Sequence, residues 1–194
     1  MLSTHISYNE QEIISFSKKF TVYNVIIVGF IYCLLWGDML FLDFKKLVSL
    51  LFNEGIFEYI YFFIKIFSLS TIFIIFGVIF HELIHAFFFT ILSRNNFKSV
   101  QFGFQKKPLS FYIHCRNPLT IYAFRTGVIM PGLIIGLIPT IIGLIWGNIY
   151  MTVYGVIFTS GAAGDIMILI ATKGLRRSQK IRDLPDKMGF ELVN

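Results

Sequence analysis

The sequence predicts an all-α membrane protein with about four transmembrane helices, one interfacial helix and a small cytoplasmic β-hairpin between spans 2 and 3. Hydrophobic residues make up 56 % of the 194 residues and charged residues only 14 %, whereas soluble domains carry about 25 % charged residues. Apolar runs long enough to cross a bilayer recur along the chain. Because a chain of this length normally forms one domain, we predict a single integral-membrane domain over residues 1–194.

The first half of the chain contains two long apolar regions. The first predicts a span over residues 20–42. The second, residues 56–92, would be roughly 55 Å long as a single helix, which far exceeds a hydrocarbon core of about 30 Å. We therefore predict a break at residues 68–71, with an interfacial or re-entrant helix over residues 56–67 and the second span over residues 71–92.

Two short segments between the second and third spans alternate in polarity. Apolar residues recur at every second position on either side of a Lys106-Lys107-Pro108 turn: Val100, Phe102 and Phe104 before it, and Phe111 and Ile113 after it. This period of two predicts a β-hairpin. The hairpin could pair with an extended substrate strand, or it could simply cap the helices with its aromatic side chains.

The third span is predicted over residues 124–146. Pro131 and Pro139 should bend this helix, which membrane helix bundles tolerate. Gly132 and Gly136 are four residues apart, a spacing that permits close contact with a neighbouring helix.

A tight turn at residues 147–148 leads to the fourth predicted span, residues 149–172, and to a flexible cytoplasmic tail, residues 173–194. With four spans, 14 of the 17 Lys and Arg residues lie on the side that holds both termini and the hairpin. Because basic loops mark the cytoplasmic side, we predict a multi-pass protein of the cell membrane with both termini in the cytoplasm.

The net charge of +6 does not indicate a nucleic-acid partner. The basic residues lie in loops between apolar spans, where they contact anionic lipid. The predicted partners are therefore the lipid bilayer and a peptide or membrane-protein substrate, with no nucleic acid.

The second span contains the motif His81-Glu82-Leu83-Ile84-His85. On a helix, His81 and His85 project from one face, so their two nitrogens can bind one tetrahedral zinc ion. Glu82 can then take a proton from the water on that zinc, as in HExxH metalloproteases. Three ionisable groups in an apolar span are costly and usually functional. The alternative is that they hydrogen-bond within the bundle or line a proton path.

A catalytic zinc site needs a third protein ligand, and depth in the membrane selects Asp165. His85 and Asp165 each lie seven residues from the cytoplasmic end of their spans, and both spans run in the same direction. The two side chains should therefore lie at about the same height. The alternative for Asp165 is a hydrogen-bonded aspartate in helix packing. The other candidates are Asp38, near the outer end of its span, and His5 and His114, outside the spans.

The HELIH sequence in one membrane helix with an aspartate in a later one resembles the site-2-protease clan of intramembrane metalloproteases. The closer resemblance, over about residues 70–172, is to a family of small bacterial membrane proteins described as "putative zincin peptidases". It rests on the motif, on residues 112–115 and 130–132, and on Gly164-Asp165. It implies that zinc is held by His81, His85 and Asp165, with Glu82 as catalytic base. Unlike site-2 proteases, the chain lacks an Asn/Pro-rich segment ending in Asp-Gly.

Together these features predict a zinc-dependent peptidase that hydrolyses a peptide bond in or near the membrane, with a zinc-activated water and Glu82 as general base. The alternative is a non-catalytic membrane protein, such as a transport accessory or a binding partner, that retains an HExxH metal site. The residue that stabilises the oxyanion is left open among three candidates: His114, Arg116 and Asn117.

Overall fold

The computed structural model describes residues 5–53, 55–92, 100–106, 109–115, 117–184 and 189–193. These residues form six α-helices and a π-helical segment: α1 (Glu10–Asn53), α2 (Ile56–Leu92), α3 (Ile121–Pro131), the π-helix (Gly132–Leu137), α4 (Ile138–Trp146), α5 (Ile149–Gly161) and α6 (Ala163–Ala171). They also form six short strands: β1 (His5–Ser7), β2 (Val100–Lys106), β3 (Leu109–Cys115), β4 (Leu119–Thr120), β5 (Lys180–Asp183) and β6 (Gly189–Val193).

The helices allow three or four membrane spans, where four were predicted. By length and composition, α1, α2 and the continuous run from α3 to α4 are each able to cross a membrane. The pair α5 and α6, bent by 44° at its junction, makes a fourth span if the two helices are taken together. Along α1 and α2 most large apolar side chains are exposed, which suits helices surrounded by lipid.

Helix α1 is kinked at Trp36, whose backbone angles (φ −134°, ψ 21°) are not helical. At the kink and on its N-terminal side, polar side chains of α1 form hydrogen bonds with the second half of the chain. The Trp36 indole donates a hydrogen bond to the Leu144 carbonyl at 2.7 Å, and the Tyr32 hydroxyl donates to the Gly147 carbonyl at 2.7 Å. Asn24 donates to a carbonyl and a hydroxyl of α5. These hydrogen bonds hold a long apolar helix in a defined position on α4 and α5.

The predicted break in the second apolar region is wrong. α2 is one continuous helix of 37 residues, so there is no separate interfacial helix over residues 56–67. The Thr71 hydroxyl donates to the Phe67 carbonyl of its own helix at 2.8 Å. A hydroxyl that bonds one turn back is satisfied without interrupting the helix. Residues 56–76 also contain no proline or glycine, so nothing in the sequence forces a break.

The third span is irregular where the prolines predicted a bend. The π-helical segment follows Pro131 directly and carries the chain into α4. Its glycines allow close helix contact, as predicted: a Cβ added to Gly136 would lie 2.7 Å from the backbone nitrogen of Thr159 in α5. A Cβ added to Gly143 would lie 2.5 Å from the backbone nitrogen of Thr152. α5 therefore packs against the span at backbone distance.

The turn into the fourth span is also as predicted. Gly147 caps α4 in the left-handed region (φ 67°), which favours glycine. The Asn148 side chain then caps α5 by accepting a hydrogen bond from the Met151 amide at 2.9 Å.

The end of the chain differs from the predicted flexible tail. β5 and β6 pair with each other, and together with β1 and β4 they form a four-stranded antiparallel sheet in the order β1-β6-β5-β4. Ile181 and Phe190 from this sheet are fully buried against the core that α2, α3 and α6 share. Burial of these two apolar side chains gives the tail a fixed place. The chain is therefore mostly helical, with a sheet that the all-α prediction omitted.

The predicted hairpin is confirmed. β2 and β3 pair antiparallel, with Val100 opposite Cys115 and Lys106 opposite Leu109. The turn residues 107–108 lie outside the described residues.

Candidate metal centre

Helix α2 presents the two histidines of the motif on one face. The rings of His81 and His85 are 4.9 Å apart between centroids and inclined at 75°. His85 is buried and His81 is partly buried. Because the helix is continuous through the motif, the four-residue spacing places both imidazoles one turn apart.

Asp165 reaches both histidines from the first turn of α6. Its Oδ2 lies 3.0 Å from Nε2 of His81, and its Oδ1 lies 3.5 Å from Nε2 of His85. The bend between α5 and α6 starts a new helix just before this carboxylate. A negative charge in the first turn is favoured by the helix dipole. The structure thus brings together the three residues that spacing and depth selected from the sequence.

A backbone carbonyl orients His85. Its Nδ1 lies 3.0 Å from the carbonyl oxygen of Gly127 in α3. A carbonyl can only accept, so Nδ1 carries a proton, and Nε2 is the ring nitrogen that faces Asp165. Histidines that bind metals characteristically donate their second ring nitrogen in this way. Gly127 was not among the predicted site residues, and its one signal in the sequence is a glycine inside a predicted helix.

The packing around Gly127 requires that glycine. A Cβ at this position would lie 2.3 Å from Cε1 of Phe89, so α3 approaches α2 closely at this point. Phe89 in turn stacks on His85 with a centroid distance of 5.8 Å and on Phe124 at 6.1 Å. Phe124 contacts Phe190 of β6 at 6.0 Å. A continuous row of aromatic rings therefore connects His85 to the four-stranded sheet.

Glu82 lies beside the cluster without being part of it. Its side chain is partly buried, and it interacts electrostatically with His81, His85 and Asp165. Among the described residues, the group whose ligand atoms all lie within 4.8 Å of one another consists of the two histidines and Asp165.

The two distances between Asp165 and the histidines fit a zinc ion. Tetrahedral ligands at about 2.0–2.1 Å from zinc are separated by about 3.3 Å, and the two nitrogen–oxygen distances of 3.0 and 3.5 Å lie on either side of that value. Two imidazoles and one carboxylate are also a ligand set found in catalytic zinc sites, which leave one position open. The Asp165 side chain retains 24 % exposure, so the protein does not enclose the cluster completely.

The other residues considered as metal ligands or oxyanion-stabilising groups are not part of this cluster or are not among the described residues. Asp38 is on α1, close to the Trp36 kink, and is not in the cluster. The backbones of His5 and His114 are in β1 and β3. Asn117 is exposed just before β4, and Arg116 lies outside the described residues. The assignment of an oxyanion-stabilising residue therefore stays a prediction.

Comparison with known proteins identifies one family. Neither a curated protein nor a solved structure matches the chain. The family described as "putative zincin peptidase" matches residues 74–177, which is more than half of the chain. The matched region contains the HExxH motif, Gly127 and Asp165. The chain belongs to this "putative zincin peptidase" family.

Proposed function

We propose that the chain is a zinc-dependent peptidase that hydrolyses a peptide bond within or beside the membrane. The observation that carries this proposal is the convergence of His81, His85 and Asp165 on one point, with Glu82 adjacent but outside the ligand group. His85 lies seven residues from the end of α2, which places the cluster about 10 Å along the helix from that end. In this proposal that end of α2 lies at the membrane surface, so the scissile peptide bond lies below the surface.

The residues of this chain divide the work between them. His81, His85 and Asp165 would hold the metal. A bound zinc ion supplies Lewis acidity, which polarises a scissile carbonyl and lowers the pKa of the attacking water. Glu82 accepts the proton of that water and passes it to the leaving amine. The Gly127 carbonyl keeps the His85 ring in the orientation and tautomer that present Nε2.

Both termini, the four-stranded sheet and the β2–β3 hairpin face the cytoplasm in this proposal, because most of the Lys and Arg residues lie with them. The substrate is a peptide or membrane-protein segment that reaches the site from that side. The hairpin offers a strand edge to which an extended substrate could add.

Metal analysis and cleavage, measured on the same set of variants, test the proposal. Purified wild-type protein should contain about one zinc per chain. His81→Ala and His85→Ala should abolish zinc binding, and Asp165→Ala should weaken it strongly. Glu82→Gln should retain zinc, because a base that is not a ligand leaves the metal in place.

Membranes of cells that express the wild-type protein should contain new peptide N-termini produced by cleavage. Membranes of cells that express Glu82→Gln should lack them. A wild-type protein without zinc would contradict the metal site. Zinc-loaded wild-type and Glu82→Gln proteins that generate identical sets of N-termini would instead favour the non-catalytic binding protein.

A further inference from the structure

A shallow cavity of about 500 Å³, largely open to the surface, lies along α6 and the loop that follows it. One wall is an apolar stripe of α6 with helical spacing, formed by Ile166, Leu169 and Ile170. The residues of the proposed zinc site do not line this cavity within the described part of the chain.

Three basic side chains line the same cavity: Arg125 from α3, and Lys173 and Arg176 from the loop after α6. Within the described residues, none of the three forms a salt bridge. The cavity therefore combines an apolar wall with three positive charges that no described carboxylate neutralises.

Arg125 is held in place by neutral groups. Its Nε donates to the Thr172 hydroxyl at 2.9 Å, and Nη2 donates to the Thr172 carbonyl. Thr172 is fully buried, and its hydroxyl donates onward to the Leu169 carbonyl at 2.7 Å. A guanidinium has five N–H donors. Thr172 accepts from two nitrogens of Arg125, so the guanidinium is fixed in position and still has N–H groups that can donate to an anion.

The position of the cavity indicates that the anion is the phosphate of a lipid headgroup. α6 ends at Ala171, and the basic loop begins at Lys173. The boundary between an apolar span and a basic loop is where lipid phosphates lie, and basic pockets at such boundaries bind anionic headgroups. A free phosphate ion would use the three cations but not the apolar wall, whereas a phospholipid uses both.

We propose that this cavity binds an anionic glycerophospholipid, with the lipid phosphate held by Arg125, Lys173 and Arg176. One acyl chain lies along Ile166 and Ile170. Ile170 is 55 % exposed on the surface of α6, and an acyl chain there covers it. The proposal does not depend on zinc or on peptidase activity.

Native mass spectrometry of the full chain in detergent micelles tests the proposal. The probes are dioleoyl phosphatidylglycerol and dioleoyl phosphatidylcholine at equal concentration. Wild-type protein should retain phosphatidylglycerol in preference to phosphatidylcholine. Arg176→Gln should weaken retention of phosphatidylglycerol about fivefold, from the contribution of one cation near a lipid surface. Arg177→Gln, a neighbouring exposed cation that does not line the cavity, is the matched control and should change little.

Two further measurements separate lipid from free phosphate. Ile170→Ala should weaken phosphatidylglycerol binding, since it removes part of the apolar wall, and millimolar inorganic phosphate should not displace the lipid. Equal retention of both lipids, or equal losses with Arg176→Gln and Arg177→Gln, would overturn the proposal. Displacement by inorganic phosphate together with no effect of Ile170→Ala would identify free phosphate as the ligand and would also overturn it. Lys173 and Arg176 are exposed, so their replacement leaves the fold intact.

Discussion

Replacing Gly127 with alanine tests whether this glycine positions the proposed zinc site. The added Cβ would lie 2.3 and 2.4 Å from two ring atoms of Phe89. Relief of that overlap requires α3 or the Phe89 ring to move by roughly 1 Å, at a cost of about 1–3 kcal/mol in stability. A 1 Å shift of α3 would stretch the His85–Gly127 hydrogen bond from 3.0 Å to about 4 Å, which is beyond hydrogen-bond range.

Loss of that hydrogen bond leaves His85 without the partner that fixes its tautomer. Removal of such a partner typically lowers metal affinity about 10–100-fold, and we expect this loss for Gly127→Ala. Zinc affinity would be measured by competition with a chromophoric chelator in detergent, and thermal unfolding would be followed in parallel.

The matched control is Gly29→Ala, because an added Cβ on that α1 glycine has no heavy atom within 4 Å. It should leave both zinc affinity and unfolding temperature nearly unchanged. If Gly127→Ala binds zinc as tightly as the control does, the close packing of Gly127 against Phe89 does not position His85, and our account of the site is wrong.

Two further predictions concern topology and helix attachment. A reporter inserted at Gly55 should lie on the opposite side of the membrane from one fused at Asn194, because an odd number of spans separates them in the four-span arrangement; reporters on the same side would rule that arrangement out. Tyr32→Phe should lower stability by about 0.5–1.5 kcal/mol through loss of its 2.7 Å hydrogen bond to the Gly147 carbonyl. Tyr23→Phe, at a 65 % exposed position of the same helix, is its control, and equal unfolding temperatures for the two variants would show that the hydrogen bond contributes nothing measurable.

The parts of the fold that sequence could predict are those set by local periodicity and by glycine or proline. Apolar length indicated the spans, and alternation over residues 100–113 indicated the hairpin, which has the predicted strands. The irregular third span follows from Pro131, because a proline lacks the amide that a regular helix needs. Each of these features is encoded within a few neighbouring residues.

The four-stranded sheet could not be predicted in this way. Its strands contain only two to five residues, too few to show a period of two, and they come from three separate parts of the chain. β1 pairs with β6 across more than 180 residues of sequence. The pairing depends on the burial of Ile181 and Phe190 against α3, and no local pattern reveals that contact. Long apolar runs also conceal where a helix ends, as the unbroken α2 shows.

In the candidate site, too, local sequence predicts some features and tertiary packing determines the others. The height of a residue on a helix follows from the rise of 1.5 Å per residue, so counting from the ends of the spans placed Asp165 level with His85. Which neighbouring helix a side chain faces depends on how the helices pack, and residue numbers along one helix do not reveal it. The close approach of α3 at Gly127 therefore became visible only in the structure. An HExxH motif identifies residues able to bind metal, whereas the glycine that orients one of them is specified by packing.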